Sequence, residues 1–361
     1  MKKMTKYEMV MQYLKQYIRE QPPASSDKLP TEMQLVQSLD VSRITVQRAL
    51  HELQQQGLIR RVQGGGTYIN RKDPAEASAQ KTFVPIVLNN DSELFGSMKY
   101  VQGADTYLAE NGCYLTVNNS HQNADEERAL ILRLIEDGFR CIIVSPYSAA
   151  ENNCFYFHLM QQGIRFVFLD RIPEQLVTNF VACDNVHGGY LAAKHVIEQG
   201  ATRVAFLSAS LIETAQSLIQ RKNGYLFAMQ EKGLSIDPDL IGFAQPDKSV
   251  AALIDRMLAL PEKPDAIVCA NDITALEVLQ HLQVLQLSVP DDIMLIGFDN
   301  LEMTMKASVP ISTIEQPFFQ LGYEAAKIAK QLIDGTEAQT IQRILPVQLI
   351  ARESTQHRTQ G

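Results

Sequence analysis

The chain has 361 residues, 45% of them hydrophobic and 20% charged, with 33 Lys/Arg against 41 Asp/Glu for a net charge of -8. This composition excludes a disordered chain, and the length allows two or three domains, each with its own core. Taken whole, the acidic excess argues against a polyanionic partner, and no apolar run approaches the ~18 residues of a membrane span.

Charge is unevenly distributed along the chain. Residues 1–72 hold 12 Lys/Arg and 6 Asp/Glu, net +6, which leaves 21 basic and 35 acidic residues, net -14, for the rest. A basic head of residues 1–70 and an acidic body of residues 83–355 are expected, joined by a polar, proline-containing linker at 71–82. The five cysteines, Cys113, Cys141, Cys154, Cys183 and Cys269, are dispersed without a C-x-x-C pair. They read as reduced, buried thiols of a cytoplasmic protein. The cations of the first eight residues precede no apolar core of a signal peptide, which points to the same compartment.

The head begins with a helix over Tyr7–Ile18, whose Val10, Tyr13, Leu14, Tyr17 and Ile18 share one face before Pro22 and Pro23 stop it. Thr31 caps a second helix with Glu32 in its first turn and Leu35, Val36 and Leu39 inward. Ser42 caps a third, which turns Val46, Ala49, Leu50 and Leu53 inward and Arg43, Thr45, Gln47 and Arg48 toward solvent until Gly57 ends it. Residues 58–69 then alternate like two strands around a glycine tip. This is a helix-turn-helix followed by a β-wing. Gly64–Thr67 lacks the G-K-[ST] ending of a phosphate loop, and Arg60 and Arg61 are placed to meet phosphate.

Lys28-Leu29-Pro30-Thr31-Glu32, Val41-Ser42-Arg43-x-Thr45-Val46, Ala49-Leu50-x-x-Leu53, Gly57-Leu58-Ile59 and Gly65-Gly66-Thr67 resemble the winged-helix domain of the GntR class of bacterial repressors. The resemblance implies that Ser42, Arg43, Thr45 and Gln47 meet DNA in the major groove. Gly65 and its neighbours Gln63, Gly64 and Gly66 would enter the minor groove, and Thr31 and Arg48 complete the expected contact set. Met33 stands where many members place a phosphate-binding Arg, and Gln47 where Arg is usual. Because Arg reads guanine and Gln prefers adenine, the operator of common members does not transfer.

The body alternates short β-branched runs with helical stretches. Strands are expected at Val84–Leu88, Tyr114–Val117, Cys141–Ser145, Phe166–Leu169, Arg203–Leu207, Ala266–Cys269 and Ile293–Gly297, giving parallel, doubly wound α/β sheets. Ligands of such sheets bind beyond the carboxyl ends of the strands. There stand Asn89-Asn90-Asp91, Ser145, Asp170-Arg171, Ser208-Ala209-Ser210, Asn271-Asp272 and Asp299-Asn300, with Arg221 on a helix. Carboxylates, amides and guanidinium forks suit the hydroxyls of a sugar, and Phe95 could pack on a sugar face. Taken singly, each Asp or Asn is equally a turn residue or helix cap.

Leu169-Asp170-Arg171, Cys183-Asp184-Asn185 with Gly188-Gly189, Arg221-x-x-Gly224-Tyr225, Ala270-Asn271-Asp272-x-x-Ala275, Ile296-Gly297-Phe298-Asp299-Asn300 and Gln316-Pro317 resemble the effector domain of LacI/GalR repressors, which has the two-lobed periplasmic-binding-protein design. The resemblance implies that Arg221, Asn271 and Asp299 ligate effector hydroxyls. Asp170 and residues 89–95, including Asn90 and Phe95, would form the first lobe's wall, with Ser145, Arg171 and Gln316 as further candidates. Asp184 with Asn185 would either join them or order the crossover.

A GntR-like head on a LacI/GalR-like body is the arabinose-repressor-like combination, and residues 70–81 lack the apolar pattern of a LacI-type hinge helix. It implies a homodimer on a pseudo-palindromic operator, released by a small sugar, with L-arabinose the first expectation and a corepressor the opposite case. An α/β enzyme acting on a sugar or nucleotide is the competing class. It finds no G-x-G-x-x-G, P-loop or G-x-S-x-G here. Cys154 and His158 at i, i+4 could share a metal, but their aromatic neighbours indicate a packed helix. Neither cofactor nor metal is expected.

Overall fold

The computed structural model describes residues 5–20, 27–55, 58–62, 66–69, 81–89, 96–173, 175–209, 216–244, 249–336 and 339–356. The expected linker therefore lies almost wholly outside the described residues, as do Gln63, Gly64, Gly65, Asn90 and Phe95. The chain divides into two compact units, Met1–Lys81 and Thr82–Gly361.

The first unit contains helices α1 (Lys6–Glu20), α2 (Glu32–Leu39) and α3 (Arg43–Gln55), then the antiparallel pair β1 (Ile59–Val62) and β2 (Gly66–Ile69). Its core is Val10, Leu14, Leu35, Val46, Ala49, Leu50, Leu53 and Ile59, all at most 2% exposed. At about 1.5–3 kcal/mol for each large aliphatic side chain withdrawn from water, these contacts set the helix packing. Local chemistry sets the boundaries. Thr31 and Gln34 form a reciprocal capping box on α2, Asp40 ends that helix in the left-handed region at φ 48°, and Ser42 Oγ accepts from Thr45 N at 3.2 Å to start α3. Tyr13 departs from the expected stripe and is 36% exposed. Val10, Met11 and Leu14 fill the space between α1 and α3, so the buried stripe is too narrow to include it.

The second unit contains two lobes, each built on a six-stranded sheet. Lobe 1 opens with β3 (Thr82–Leu88), α4 (Ser97–Glu110), β4 (Cys113–Asn119), α5 (Ala124–Glu136), β5 (Cys141–Val144), α6 (Ala149–Gln161), β6 (Arg165–Leu169) and β7 (Asn179–Cys183). Lobe 2 follows with α7 (Asn185–Glu198), β8 (Val204–Ser208), α8 (Gln216–Glu231), β9 (Ile241–Phe243), α9 (Val250–Leu258), β10 (Ala266–Cys269), α10 (Asp272–Val284), β11 (Met294–Asp299), the short α11 (Glu302–Met305) and β12 (Ser312–Glu315). The chain then returns to lobe 1 as α12 (Phe318–Asp334) and β13 (Gln342–Leu345) before entering lobe 2 again as β14 (Gln348–Ile350). The strand orders are β13-β7-β6-β5-β3-β4 and β14-β12-β11-β10-β8-β9. Every pairing is parallel except β12 with β14, an antiparallel edge that departs from the expected all-parallel design.

The seven expected strands all occur, Ala266–Cys269 with the expected ends and the others with ends within two residues of the expected ones. Ser145 lies just past its strand rather than in it. The strands β9, β12, β13 and β14 carry too little apolar signal to stand out: β9 has three residues, β12 is Ser-Thr-Ile-Glu and β13 begins Gln-Arg at a sheet edge. The strand β7, Asn-Phe-Val-Ala-Cys, does carry an apolar run and is not among the expected strands. The cysteines are buried except Cys154, which is exposed because its position on α6 turns away from the sheet that Tyr156 and Leu159 cover.

Three passages run between the lobes: β7 to α7 at Asp184, β12 to α12 at Gln316-Pro317, and β13 to β14 at Pro346-Val347. Asp184 N donates to Leu345 O at 2.9 Å, tying the first passage to the third. In lobe 2, α7 and α8 approach until their backbones nearly touch. A Cβ at Gly189 would lie 2.0 Å from Arg221 O, and one at Gly224 2.0 Å from Val186 O. Only glycine permits this approach, and it brings α8, with Arg221, up to the start of α7.

Candidate functional site

On the first unit, α3 presents a polar outer face. Arg43, Gln47 and Arg48 are exposed, Thr45 is half-buried, and Ser42 Oγ and Thr45 Oγ1 lie 2.8 Å apart at the start of the helix. The Arg48 guanidinium lies 5.0 Å from the Tyr7 ring, on the side of α3 that meets α1. Thr31 is exposed, but its hydroxyl is engaged in the α2 cap. Gly66 stands at φ 116°, where a side chain would also press on Lys28, so the wing strand requires glycine there. Lys28 and Arg60 lie over the Tyr68 ring at 5.8 and 5.7 Å, adding cations to the wing. Exposed cations, a hydroxyl pair and an amide on one helix, with a basic wing beside it, are groups chemically suited to phosphate contact and base-edge hydrogen bonding.

In the second unit the polar groups gather where the chain passes between lobes. Arg221, 5% exposed, reaches from α8 and donates from Nε to Asn185 Oδ1 at 2.8 Å. Its Nη1 donates to Ala270 O at 2.7 Å and to Asp299 Oδ1 at 3.4 Å, and its guanidinium lies 3.7 Å from the centre of the Phe298 ring. The same Asp299 Oδ1 accepts from Gln316 Nε2 at 2.5 Å. Gln316 Oε1 in turn accepts from the Cys183 thiol at 3.1 Å. A closed polar chain therefore joins the ends of β7 and β11 through the crossover residues Asn185 and Gln316. These hydrogen bonds engage Asp299 through Oδ1 and Arg221 through Nε and Nη1, not through Asp299 Oδ2 or Arg221 Nη2.

Backbone strain marks the place. Asp299 and Asn300 adopt φ 119° and 54°, and Asp170, across in lobe 1, φ 67°. Non-glycine residues in this region cost on the order of 1–3 kcal/mol each and need support from their surroundings. At Asn300 that support is visible: its backbone N–H donates to Thr313 Oγ1 at 3.2 Å, its side-chain Nδ2 donates to Glu315 Oε1 at 2.9 Å, and its side-chain Oδ1 accepts from Arg352 Nη2. Asp170 Oδ1 is buried with no hydrogen-bond partner among the described residues. An unsatisfied buried carboxylate oxygen is costly, and a ligand hydroxyl would satisfy it.

Burial pushes the Asp299 carboxyl above the usual carboxylate range; Arg221 and the Gln316 amide pull the other way, and the Asp170 charge adds to the rise. Asp272, buried behind it, is also raised, first by burial and then by the Asp299 charge, although Thr313 Oγ1 and Leu301 N each donate to it at 2.7 Å. Burial and the neighbouring Asp170 likewise raise Tyr100, which meets Phe318 edge-on at 5.2 Å.

The remaining expected residues divide by what they touch. Asn271 Oδ1 caps α10, accepting from Thr274 N and Oγ1 at 2.8 Å, so only its amide nitrogen is available to a ligand. Asp184 caps α7 by accepting from His187 N at 2.9 Å. Its neighbour Asn185 makes the contact with Arg221. Arg171 donates to Tyr147 O at 2.7 Å, and Ser145 accepts from Asn89 at both its carbonyl and its hydroxyl, so both shape the loop after β5. Tyr100 and Cys183 are not singled out as site residues from sequence, whereas Asn185 is named beside Asp184 as a residue that either joins the site or orders the crossover. Nothing in the sequence marks Tyr100. No group able to hold a metal occurs among the described residues, and no described helix is long and apolar enough to cross a membrane.

Residues 6–69 match the model of the bacterial regulatory proteins of the gntR family, and residues 193–355 match the periplasmic binding protein-like domain. An arabinose metabolism transcriptional repressor of Halalkalibacterium halodurans is 28% identical over 341 residues, covering 91% of this chain and 90% of the relative. The HTH-type transcriptional repressor PurR of Vibrio campbellii is 30% identical over 256 residues, covering 70% of this chain and 75% of the relative. The chain belongs to the LacI/GalR-type repressors, with a GntR-type head. A putative LacI-type regulator of Bacillus cereus subsp. cytotoxis shares the body's fold, with a TM-score of 0.68 at 22% identity over 76% of this chain and 98% of that one. This GntR-headed repressor is thus a DNA-binding transcriptional regulator and not an enzyme.

Proposed function

We propose that the protein is a homodimeric repressor of carbohydrate-utilisation genes whose operator is released when a small uncharged sugar, L-arabinose first among them, binds between the two lobes. The observation that carries this reading is the polar chain Arg221, Asp299 and Gln316 at the interlobe passages, facing the partnerless oxygen of Asp170. A sugar hydroxyl both donates and accepts. It can therefore give a hydrogen bond to Asp170 or Asp299 while accepting one from Arg221. Arabinose is favoured by the named role of the Halalkalibacterium halodurans relative, whose similarity extends across head and body. Ligand contacts on both lobes would favour their closure. If the closed state holds the two heads of a dimer at a spacing other than the ~34–36 Å of successive major grooves, sugar and operator weaken each other reciprocally.

The test is a thermal-shift screen over free and phosphorylated pentoses and hexoses, followed by operator binding with and without the hit. L-arabinose is expected to raise the melting temperature of the body and to lower operator affinity. A sugar that tightens operator binding would make it a corepressor and reverse the proposed sign. Sedimentation velocity on the same material checks the dimer.

A further inference from the structure

Glu32 places a carboxylate on the surface that carries the head's DNA-facing cations, where its charge opposes phosphate. Its helix cap does not need it, because Thr31 and Gln34 already form the capping box. What the carboxylate does is gather donors. Oε2 accepts from Gln47 Nε2 at 3.0 Å and from Arg43 Nε at 3.4 Å, and Oε1 accepts from Arg61 Nη2 at 3.4 Å, so one side chain of α2 holds two residues of α3 and one of the wing. Arg43 and Arg61 have side chains 73% and 40% exposed, and ion pairs so open to water add little to folding.

The chemistry of the glutamine amide gives this arrangement its use. The two ends of the Gln47 amide are alike in shape and opposite in hydrogen bonding, so a free side chain offers them to DNA in either order. An ionised carboxylate can only accept. Held on Glu32, the nitrogen end of Gln47 is committed, and its second N–H and its oxygen face outward in one fixed order. That pair matches the N7 acceptor and N6 donor of adenine in the major groove. Arg43, held by Nε, likewise keeps its two terminal nitrogens free to act as a fork.

We infer that Glu32 is a positioning residue for base recognition: without touching a base, it fixes the Gln47 amide and orients Arg43 and Arg61, trading some overall DNA affinity for sequence discrimination. The inference rests on the reading that α3 enters the major groove. The experiment separates the two.

Full-length wild-type protein is used to select its preferred duplex from a randomised DNA library. Binding of wild type, Glu32→Ala and Gln47→Ala to that duplex, to its single-base variants and to a scrambled duplex is then measured by fluorescence anisotropy over a range of salt. Gln47→Ala identifies the base position it reads. At that position Glu32→Ala is expected to lower discrimination by about tenfold, within the range a bidentate contact supplies. Affinity for the scrambled duplex rises a few-fold, and the salt slope steepens by about 0.9 for each guanidinium that gains a phosphate. A residue that merely stabilised the fold would lower all binding together. Glu32→Gln, which keeps the side chain's size but can present a donor to Gln47, is the check should the alanine variant fold poorly, and it is expected to lose discrimination in the same direction. If Gln47→Ala alters base preference while both Glu32 variants discriminate as wild type does, the role of Glu32 is overturned. If Gln47→Ala alters no preference at all, the recognition-helix reading falls, and the inference with it.

Discussion

Asp299→Asn separates the pocket's chemistry from its architecture. Arg221 Nη1 and Gln316 Nε2 both donate to the same oxygen, Oδ1. An asparagine whose carbonyl oxygen occupies that place keeps both hydrogen bonds, and only the Oδ2 position changes, from an acceptor to an N–H donor. Two stability effects oppose each other: a carboxylate disfavoured by burial is removed, and Arg221 loses its counter-charge. The net change is expected to stay near 1 kcal/mol, a shift of about 2–4 °C in the melting temperature of a body this size. For the ligand the loss is one-sided, because a hydroxyl that donated to a charged oxygen now meets a donor. A hydrogen bond to a charged group contributes about 1.5–3 kcal/mol, so L-arabinose should bind roughly 10- to 150-fold more weakly by titration calorimetry. Operator affinity without sugar should match wild type. Arg221→Ala is the contrast: it breaks a buried pair, at a cost of about 3–5 kcal/mol, and should lower both melting temperature and sugar affinity. Wild-type sugar affinity in Asp299→Asn would refute the placement of Oδ2 in the pocket, and a fall of more than about 10 °C would refute the shared-oxygen argument.

Arg43→Ala should abolish specific operator binding in gel-shift assays while leaving the sugar-induced thermal shift intact; loss of both would point to misfolding instead. Gly189→Ala should force α7 and α8 apart against Arg221 O, destabilising the body by about 1–3 kcal/mol in urea denaturation and weakening sugar binding, and a neutral outcome would contradict the close approach. Asp272 has a folded-state pKa raised by burial and by Asp299, so the folded protein holds a proton that the unfolded chain releases. The stability this confers is complete below the ordinary aspartate value and is lost as pH rises through the raised one. Melting curves across pH should therefore show wild type losing stability, relative to Asp272→Asn, as pH climbs through that window; parallel curves would remove Asp272 as the source.

Much of this molecule is legible in its sequence because much of it is decided locally. Thr31, Ser42 and the Leu35 and Leu50 stripes specify the head's helices within a few residues of themselves. The buried central strands announce themselves by unbroken runs such as Cys141–Val144, and the rule that ligands sit beyond strand ends brought Asp170, Asn271 and Asp299 to notice. What stayed hidden depends on distant partners. The strand β13 starts Gln342-Arg343 and is a strand only because β7 offers it an edge. The burial of Tyr100 follows from α12, more than 200 residues later, packing over α4. Glu32 was passed over for another reason: an acidic residue on a DNA-binding face runs against charge counting, and only the three donors converging on it reveal its place.

The three interlobe passages also bear on how such a protein can be rearranged. The head is one uninterrupted stretch of chain, so at the level of the gene it is a cassette that recombination can exchange whole. Neither lobe has that property. The last strands of the two sheets, β13 and β14, lie side by side in the sequence but in different lobes. A stop codon before Gln342 would strip an edge from both sheets at once, and no single cut of the body yields one intact lobe. Diversity in DNA recognition can thus arrive by shuffling, whereas diversity in ligand recognition has to accumulate by point substitution within a fixed, interleaved frame.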